Sequence, residues 1–275
     1  MLSLTDLAFL GRVGKDTTWT VENVIFDDEV SVAPEEDVPA GIFFKPDGTK
    51  FYICETGASK RVHQYGMTTA WDVSTATYDS KFKAITDPLA TGVFLKSDGT
   101  KMFILGNNND LIYYFTLSVA WDVSTASQNG TFSVATQTTS PAGIYVRDDG
   151  LKCYIASTSN KTVYQYLLTS SWNGGTLAYD NKSFNTGASP SFTSFLSGVF
   201  FKDDGLRMFV IDVGDKIYQF TLSVAWDVST AVYDGVFANI KSQGSQHGDI
   251  FIKPDGTRLY SPDAGSIEVV QEFHI

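Results

Sequence analysis

Short apolar runs broken by polar turns recur along the whole chain. The first pair is Gly41-Ile42-Phe43-Phe44 and Phe51-Tyr52-Ile53-Cys54, separated by Lys45-Pro46-Asp47-Gly48-Thr49-Lys50. Asp and Gly tolerate the positive-φ positions of a tight turn, so each such pair is expected to be a hairpin. The runs are apolar on both faces, which suits strands packed between neighbouring sheets. A third run, Val62-His63-Gln64-Tyr65, has counterparts beginning at Ile112, Val163, Ile217 and Val269. Its partial alternation of aromatic and polar residues suits a half-exposed strand. The connector Ala70-Trp71-Asp72-Val73-Ser74-Thr75-Ala76 then leads to a weaker fourth strand near residues 78–84. No helical period persists between Trp19 and Ile275.

The unit repeats. Asp-Gly begins at positions 47, 98, 149, 204 and 255, and the five tryptophans stand at 19, 71, 121, 172 and 226. The fifth copy is split, with its hairpin at the C-terminal end and its Trp at the N-terminal end. Such a division is most simply a closed ring. Four strands in about 51 residues without an intervening helix are the signature of a propeller blade. The expected fold is therefore all-β: a five-bladed β-propeller over residues 19–275, with four antiparallel strands per blade. Residues 21–33 are expected to complete the last blade by pairing with residues 268–273. Residues 1–18 form an N-terminal arm outside the repeat.

The Pro46-Asp47-Gly48-Thr49-Lys50-x-Tyr52 element resembles the repeats of YVTN and lactonase-like propellers. The fuller pattern, the Trp71 connector together with Gly41-Ile42-Phe43-Phe44-Lys45-Pro46-Asp47-Gly48, resembles tandem repeats of tailed-phage and environmental bacterial proteins. That resemblance covers residues 19–275 and implies a propeller with a virion-associated role. The chain departs from WD40 repeats, because its Trp-Asp lies beyond the third strand and the Gly-His signature is missing.

Charge narrows the partners. A net charge of −11 disfavours phosphate backbones and anionic membrane surfaces, so neither nucleic acid nor membrane insertion is expected. Cys54 and Cys153 lie in apolar runs without Cys-x-x-Cys spacing and read as buried thiols. No run of eighteen apolar residues occurs, and the N-terminus lacks the basic start of a signal peptide. The expected location is a virion or, failing that, the cytoplasm.

Comparison of the five copies separates scaffold from variation. The Asp-Gly turns and Trp connectors share one end of each blade and are nearly invariant, so that end is expected to be structural. Lys45, Lys96, Arg147, Lys202 and Lys253 stand there, each expected to pair with the Asp two residues on. The loops at the opposite end differ, and recognition usually resides in such loops. The candidate binding residues are Glu55, Asn107, Asn108, Ser157, Phe192, Phe195, Asp212, His247 and Asp263.

Three of these, Glu55, Asp212 and Asp263, share one repeat position and could cradle a cation or act as acid and base. Turn-forming Asp residues beside Gly account for the same pattern without chemistry. Arabinanase-type five-bladed propellers resemble this architecture and carry acids around the channel. Here the innermost strands begin with Gly41, Gly92, Gly143 and Gly198, and only Asp249 is acidic. His63, His247 and His274 occupy unrelated positions, so no triad is visible.

The sequence thus leads to no enzyme, no cofactor and no metal. It suggests a structural or recognition component of a phage virion or similar assembly, with a carbohydrate-binding lectin as the alternative and a glycoside hydrolase or lactonase after that. Leu2, Leu4, Leu7, Phe9 and Leu10 give the arm an apolar face expected to dock on a neighbouring assembly protein. A host-surface glycan is the other partner expected.

Overall fold

The computed structural model describes residues 19–33, 35, 38–57, 59–188, 194–265 and 268–275. Among them, β1 (Ile25–Ser31) comes first in sequence but belongs to the last sheet. Blade one is β2 (Pro39–Phe44), β3 (Lys50–Glu55), β4 (Arg61–Met67) and β5 (Ala76–Ala84). Blade two is β6 (Ala90–Leu95), β7 (Lys101–Gly106), β8 (Leu111–Leu117) and β9 (Ala126–Ser133). Blade three is β10 (Pro141–Val146), β11 (Lys152–Ser157), β12 (Thr162–Leu168) and β13 (Leu177–Asn185). Blade four is β14 (Leu196–Phe201), β15 (Arg207–Asp212), β16 (Lys216–Leu222) and β17 (Ala231–Asn239). In blade five, β18 (Phe251–Ile252), β19 (Arg258–Asp263) and β20 (Val269–His274) are completed by β1, which pairs antiparallel with β20 from Ile25–His274 to Ser31–Val269. This is the expected five-bladed propeller, closed by the N-terminal strand. The closing strand is shorter than residues 21–33, because Trp19 and Val21 occupy the connector positions held by Trp71 and Val73 in blade one. The 1–18 arm, with Leu2, Leu4, Leu7, Phe9 and Leu10, lies outside the described residues.

The Trp connectors knit hairpin to hairpin. Each Trp backbone N–H donates to the glycine carbonyl of an Asp-Gly turn: Trp71 to Gly48, Trp121 to Gly99, Trp172 to Gly150, Trp226 to Gly205 and Trp19 to Gly256, at 2.9–3.3 Å. The last of these joins the two ends of the chain. All five Trp residues have φ between 56° and 68°, a left-handed conformation that costs a non-glycine residue on the order of 1–3 kcal/mol. Close packing holds them there. A Cβ on Gly48 would stand 2.3 Å from the Trp71 ring, and the other four turn glycines meet their Trp just as closely.

Each indole also packs on the preceding blade. Trp71 stacks on Phe44 of its own blade and Phe251 of blade five, at 5.8 and 6.2 Å between centroids. Its carbonyl accepts a hydrogen bond from Tyr260 in β19 at 2.8 Å. Tyr52 donates likewise to Trp121, and Tyr154 to Trp226.

A third-strand amide makes a second seam. Gln64 Oε1 accepts the Val123 N–H of blade two, and Gln165 Oε1 accepts the Val228 N–H of blade four. The degenerate connector of blade three is the exception with a visible cause. Tyr114 stands where other blades carry Gln or Glu, and a Cβ on Gly174 would lie 2.4 Å from its ring. The larger ring has replaced the amide, and the facing residue has lost its side chain to make room.

Candidate functional site

Two rings of residues surround the axis, both contributed by the innermost strands. The first is Gly41, Gly92, Gly143 and Gly198, where the strands approach so closely that a Cβ on Gly41 would be 2.6 Å from the Gly92 Cα. The fifth position is Asp249, 3% exposed, whose carboxylate accepts the backbone N–H groups of Ile250, Ile42 and Val199. Burial raises that carboxyl well above its ordinary value, although the three donors pull the other way.

Two residues further along each strand, on the Asp-Gly side, stand Phe43, Phe94, Tyr145, Phe200 and Phe251. They touch in turn around the axis: Phe43–Phe94 at 4.9 Å, Phe94–Tyr145 at 5.1 Å, Tyr145–Phe200 at 5.4 Å, Phe200–Phe251 at 5.3 Å and Phe251–Phe43 at 5.7 Å. All five contacts are edge-to-face, with interplanar angles of 62–79°, the geometry the ring quadrupole favours.

This aromatic ring floors a cavity of about 670 Å³ that opens among the Asp-Gly turns and is lined also by Trp226. Its rim is set by the residue between the basic residue and the turn Asp of each repeat: Pro46, Ser97, Asp148, Asp203 and Pro254. Blades three and four therefore place two adjacent carboxylates on one side of the mouth. Partial desolvation raises the Asp203 carboxyl first, and Asp148 and Asp204 add to the rise, with Lys202 offsetting part of it. Among the described residues, no ion pair joins Asp148 or Asp203 to a cation.

The basic ring is engaged as expected. Lys45–Asp47, Lys96–Asp98, Arg147–Asp149, Lys202–Asp204 and Lys253–Asp255 pair at 2.5–3.0 Å. Four of these cations also lie over the indole of the following blade, at 5.8–5.9 Å from its centroid.

At the loop end, the candidate residues are mostly turned inward. Asp212 accepts from the N–H groups of Gly214 and Lys216 and from the Tyr218 hydroxyl, and burial raises its carboxyl. Asp263 holds the N–H groups of Gln246 and Gly265, and Glu55 lies 3.6 Å from His63 Nε2. Glu55, Asp212 and Asp263 thus serve their own blades, and no group of three or more His, Cys, Asp or Glu side chains assembles as a metal-ligand set among the described residues.

His247 is buried in the seam between blades four and five, with Nδ1 3.0 Å from Asp215 Oδ1 and Nε2 3.0 Å from Gln271 Oε1. Ser157 is buried against Thr138, and Asn107 donates across to the Pro141 carbonyl. Asn108 and Phe195 are exposed, the latter beneath Lys161 Nζ. Phe192 lies outside the described residues.

Asp87 was not singled out from the sequence, yet it is buried and accepts from the N–H groups of Leu89, Asn108 and Asn109 and from the Tyr113 hydroxyl. The basin was not anticipated either. Its one sequence signal is the change from Pro or Ser to Asp at a single position of an otherwise uniform motif.

No family model and no curated protein matches the chain. Its fold is similar to that of a candidate 6-phosphogluconolactonase from Bacteroides uniformis, with 13% identity over 86% of this chain and 67% of that one and a TM-score of 0.53. It is similar also to luciferin-regenerating enzyme, with 13% identity over 90% of this chain and 96% of that one and a TM-score of 0.53. A protein from Lactobacillus plantarum aligns at 12% identity over 82% of this chain and 64% of that one, with a TM-score of 0.55. The chain thus spans about two thirds of the length of the two bacterial structures.

At such identity the likeness establishes the propeller fold. A likeness to phage proteins is not shown by these comparisons. They do correct one expectation. The inference that the chain is no enzyme leaned on a scaffold without a visible catalytic set, and neighbours with this scaffold are named for catalysis. The Asp-Gly end, read from the sequence as purely structural, also holds the axial cavity and its carboxylates.

Proposed function

We propose that the chain is a small-molecule hydrolase of lactonase type that takes its substrate into the axial basin. The observation that carries this reading is the Asp148–Asp203 pair on one wall of an aromatic-floored cavity. Concave, largely apolar pockets with a few convergent polar groups are the usual form of small-molecule sites. Two carboxylates on one wall can divide the roles of acid and base. Asp203, whose carboxyl partial burial raises from its ordinary value, is assigned as the acid, and Asp148 as the base that draws a proton from water. Water adds to the lactone carbonyl, the ring C–O bond breaks, and the alkoxide leaving group takes the proton from Asp203 to give a hydroxy acid. The name of one group of fold neighbours, candidate 6-phosphogluconolactonases, supports the reaction class.

The test is turnover of a panel of uncharged and charged lactones, dihydrocoumarin among them. Asp203→Asn and Asp148→Asn should each lower kcat by roughly 10²–10⁴-fold, with an unchanged melting temperature. Turnover that survives both substitutions would rule the basin out.

A second reading is recognition of a surface glycan by the loop face of a propeller borne on a virion or similar assembly. It is favoured by Phe195, 47% exposed at that end, as a stacking platform for a sugar ring. Glycan binding abolished by Phe195→Ala with turnover intact would support it.

A further inference from the structure

We propose that the axial basin selects a positively charged organic molecule, with an ammonium group carried on an apolar body. This rests on the basin being the substrate site and names the class of substrate it takes. The body follows from the floor, which is made of four phenylalanine rings and Tyr145, whose hydroxyl is the single polar group these five side chains contribute.

The charge follows from the rim. Five basic side chains are matched one to one by the turn Asp residues, so that ring is neutral. Most of those cations are also seated on indoles, which leaves them poorly placed to turn towards an anion. Asp148 and Asp203 come in addition, giving 5 − 7 = −2 around the mouth. Their equivalents Pro46, Ser97 and Pro254 carry no charge, so the excess sits on the side of blades three and four and orients a cation as well as attracting it. The net charge of −11 works in the same direction at long range. A phosphorylated sugar lactone would meet like charge at this mouth.

Calorimetric titration of the full chain with three molecules sharing one body tests the selection: 3-phenylpropylammonium, 3-phenylpropan-1-ol and 3-phenylpropionate. The ammonium should bind about tenfold tighter than the alcohol, and the carboxylate should bind weakest. The Asp148→Asn/Asp203→Asn double variant, altered only at exposed rim positions, should bring the three together. Equal binding of alcohol and ammonium to the unaltered protein would overturn charge selection. So would tighter binding of the carboxylate, or turnover of an uncharged lactone by a protein that binds no ammonium. Binding in the expected order without turnover of any lactone would uphold the cation site and fail the hydrolase reading alone.

Discussion

Asp249 occupies the fifth place of a ring otherwise made of glycine, and burial raises its carboxyl well above the ordinary value. A carboxyl raised in the fold contributes stability fully present below its unfolded value of 3.8, lost as pH rises through the folded value. Asp249→Asn keeps an acceptor for the N–H groups of Ile42, Val199 and Ile250 but cannot ionise. Its melting temperature should therefore gain on that of the unaltered protein as pH increases from 4 towards 9; a difference independent of pH would contradict the burial argument. The turn carboxylates behave oppositely. Burial alone would raise Asp98, but hydrogen bonds from Lys96 and Thr100 bring it down to about 2. Their contribution is present above the unfolded value and lost as pH falls from 3.8 towards 2, which thermal melts in that window can follow. The Lys–Asp pairing was legible in the sequence because both partners repeat at fixed spacing. The fate of Asp249 was not, since a single acid among glycines gives no sign of the donors it will meet across the axis.

At the scale of the element, the connector is a strained turn held by packing. Gly99 has φ 73° and faces the Trp121 ring, so Gly99→Ala should destabilise by more than about 1 kcal/mol in denaturant unfolding. Trp172→Ala, which removes a 5% exposed indole, should cost roughly 3–5 kcal/mol, the range for emptying a large buried aromatic site. Blade three offers a sharper test, because its departure from the repeat is compensated locally. Gly174→Val restores the repeat residue but collides with Tyr114, and should destabilise alone. Combined with Tyr114→Gln it should recover stability, with a coupling on the order of 0.5–3 kcal/mol; additive effects would refute the compensation. The sequence revealed the degenerate connector but not its reason, because residues 114 and 174 meet only when blades two and three pack together.

For the whole molecule, closure was the most legible feature, since a repeat divided between the chain ends is made whole only when those ends meet. A chain beginning at Pro39 lacks both β1 and the Trp19–Gly256 junction, and should melt well below the full chain and less cooperatively. The axial cavity at the Asp-Gly end was not legible in the sequence, for a physical reason. Uniform turns looked like pure scaffold, yet uniformity is what allows five equivalent rings to meet on the axis and floor a cavity, while the variable polar loops spend most of their carboxylates on their own N–H groups. The most direct test is amide chemical-shift mapping of the full chain during titration with dihydrocoumarin and with 3-phenylpropylammonium. Shifts should concentrate at residues 43–48, 94–99, 145–150, 200–205 and 251–256, around the basin. Shifts confined instead to residues 106–110, 157–160 and 212–216 would move the site to the loop end and contradict the basin.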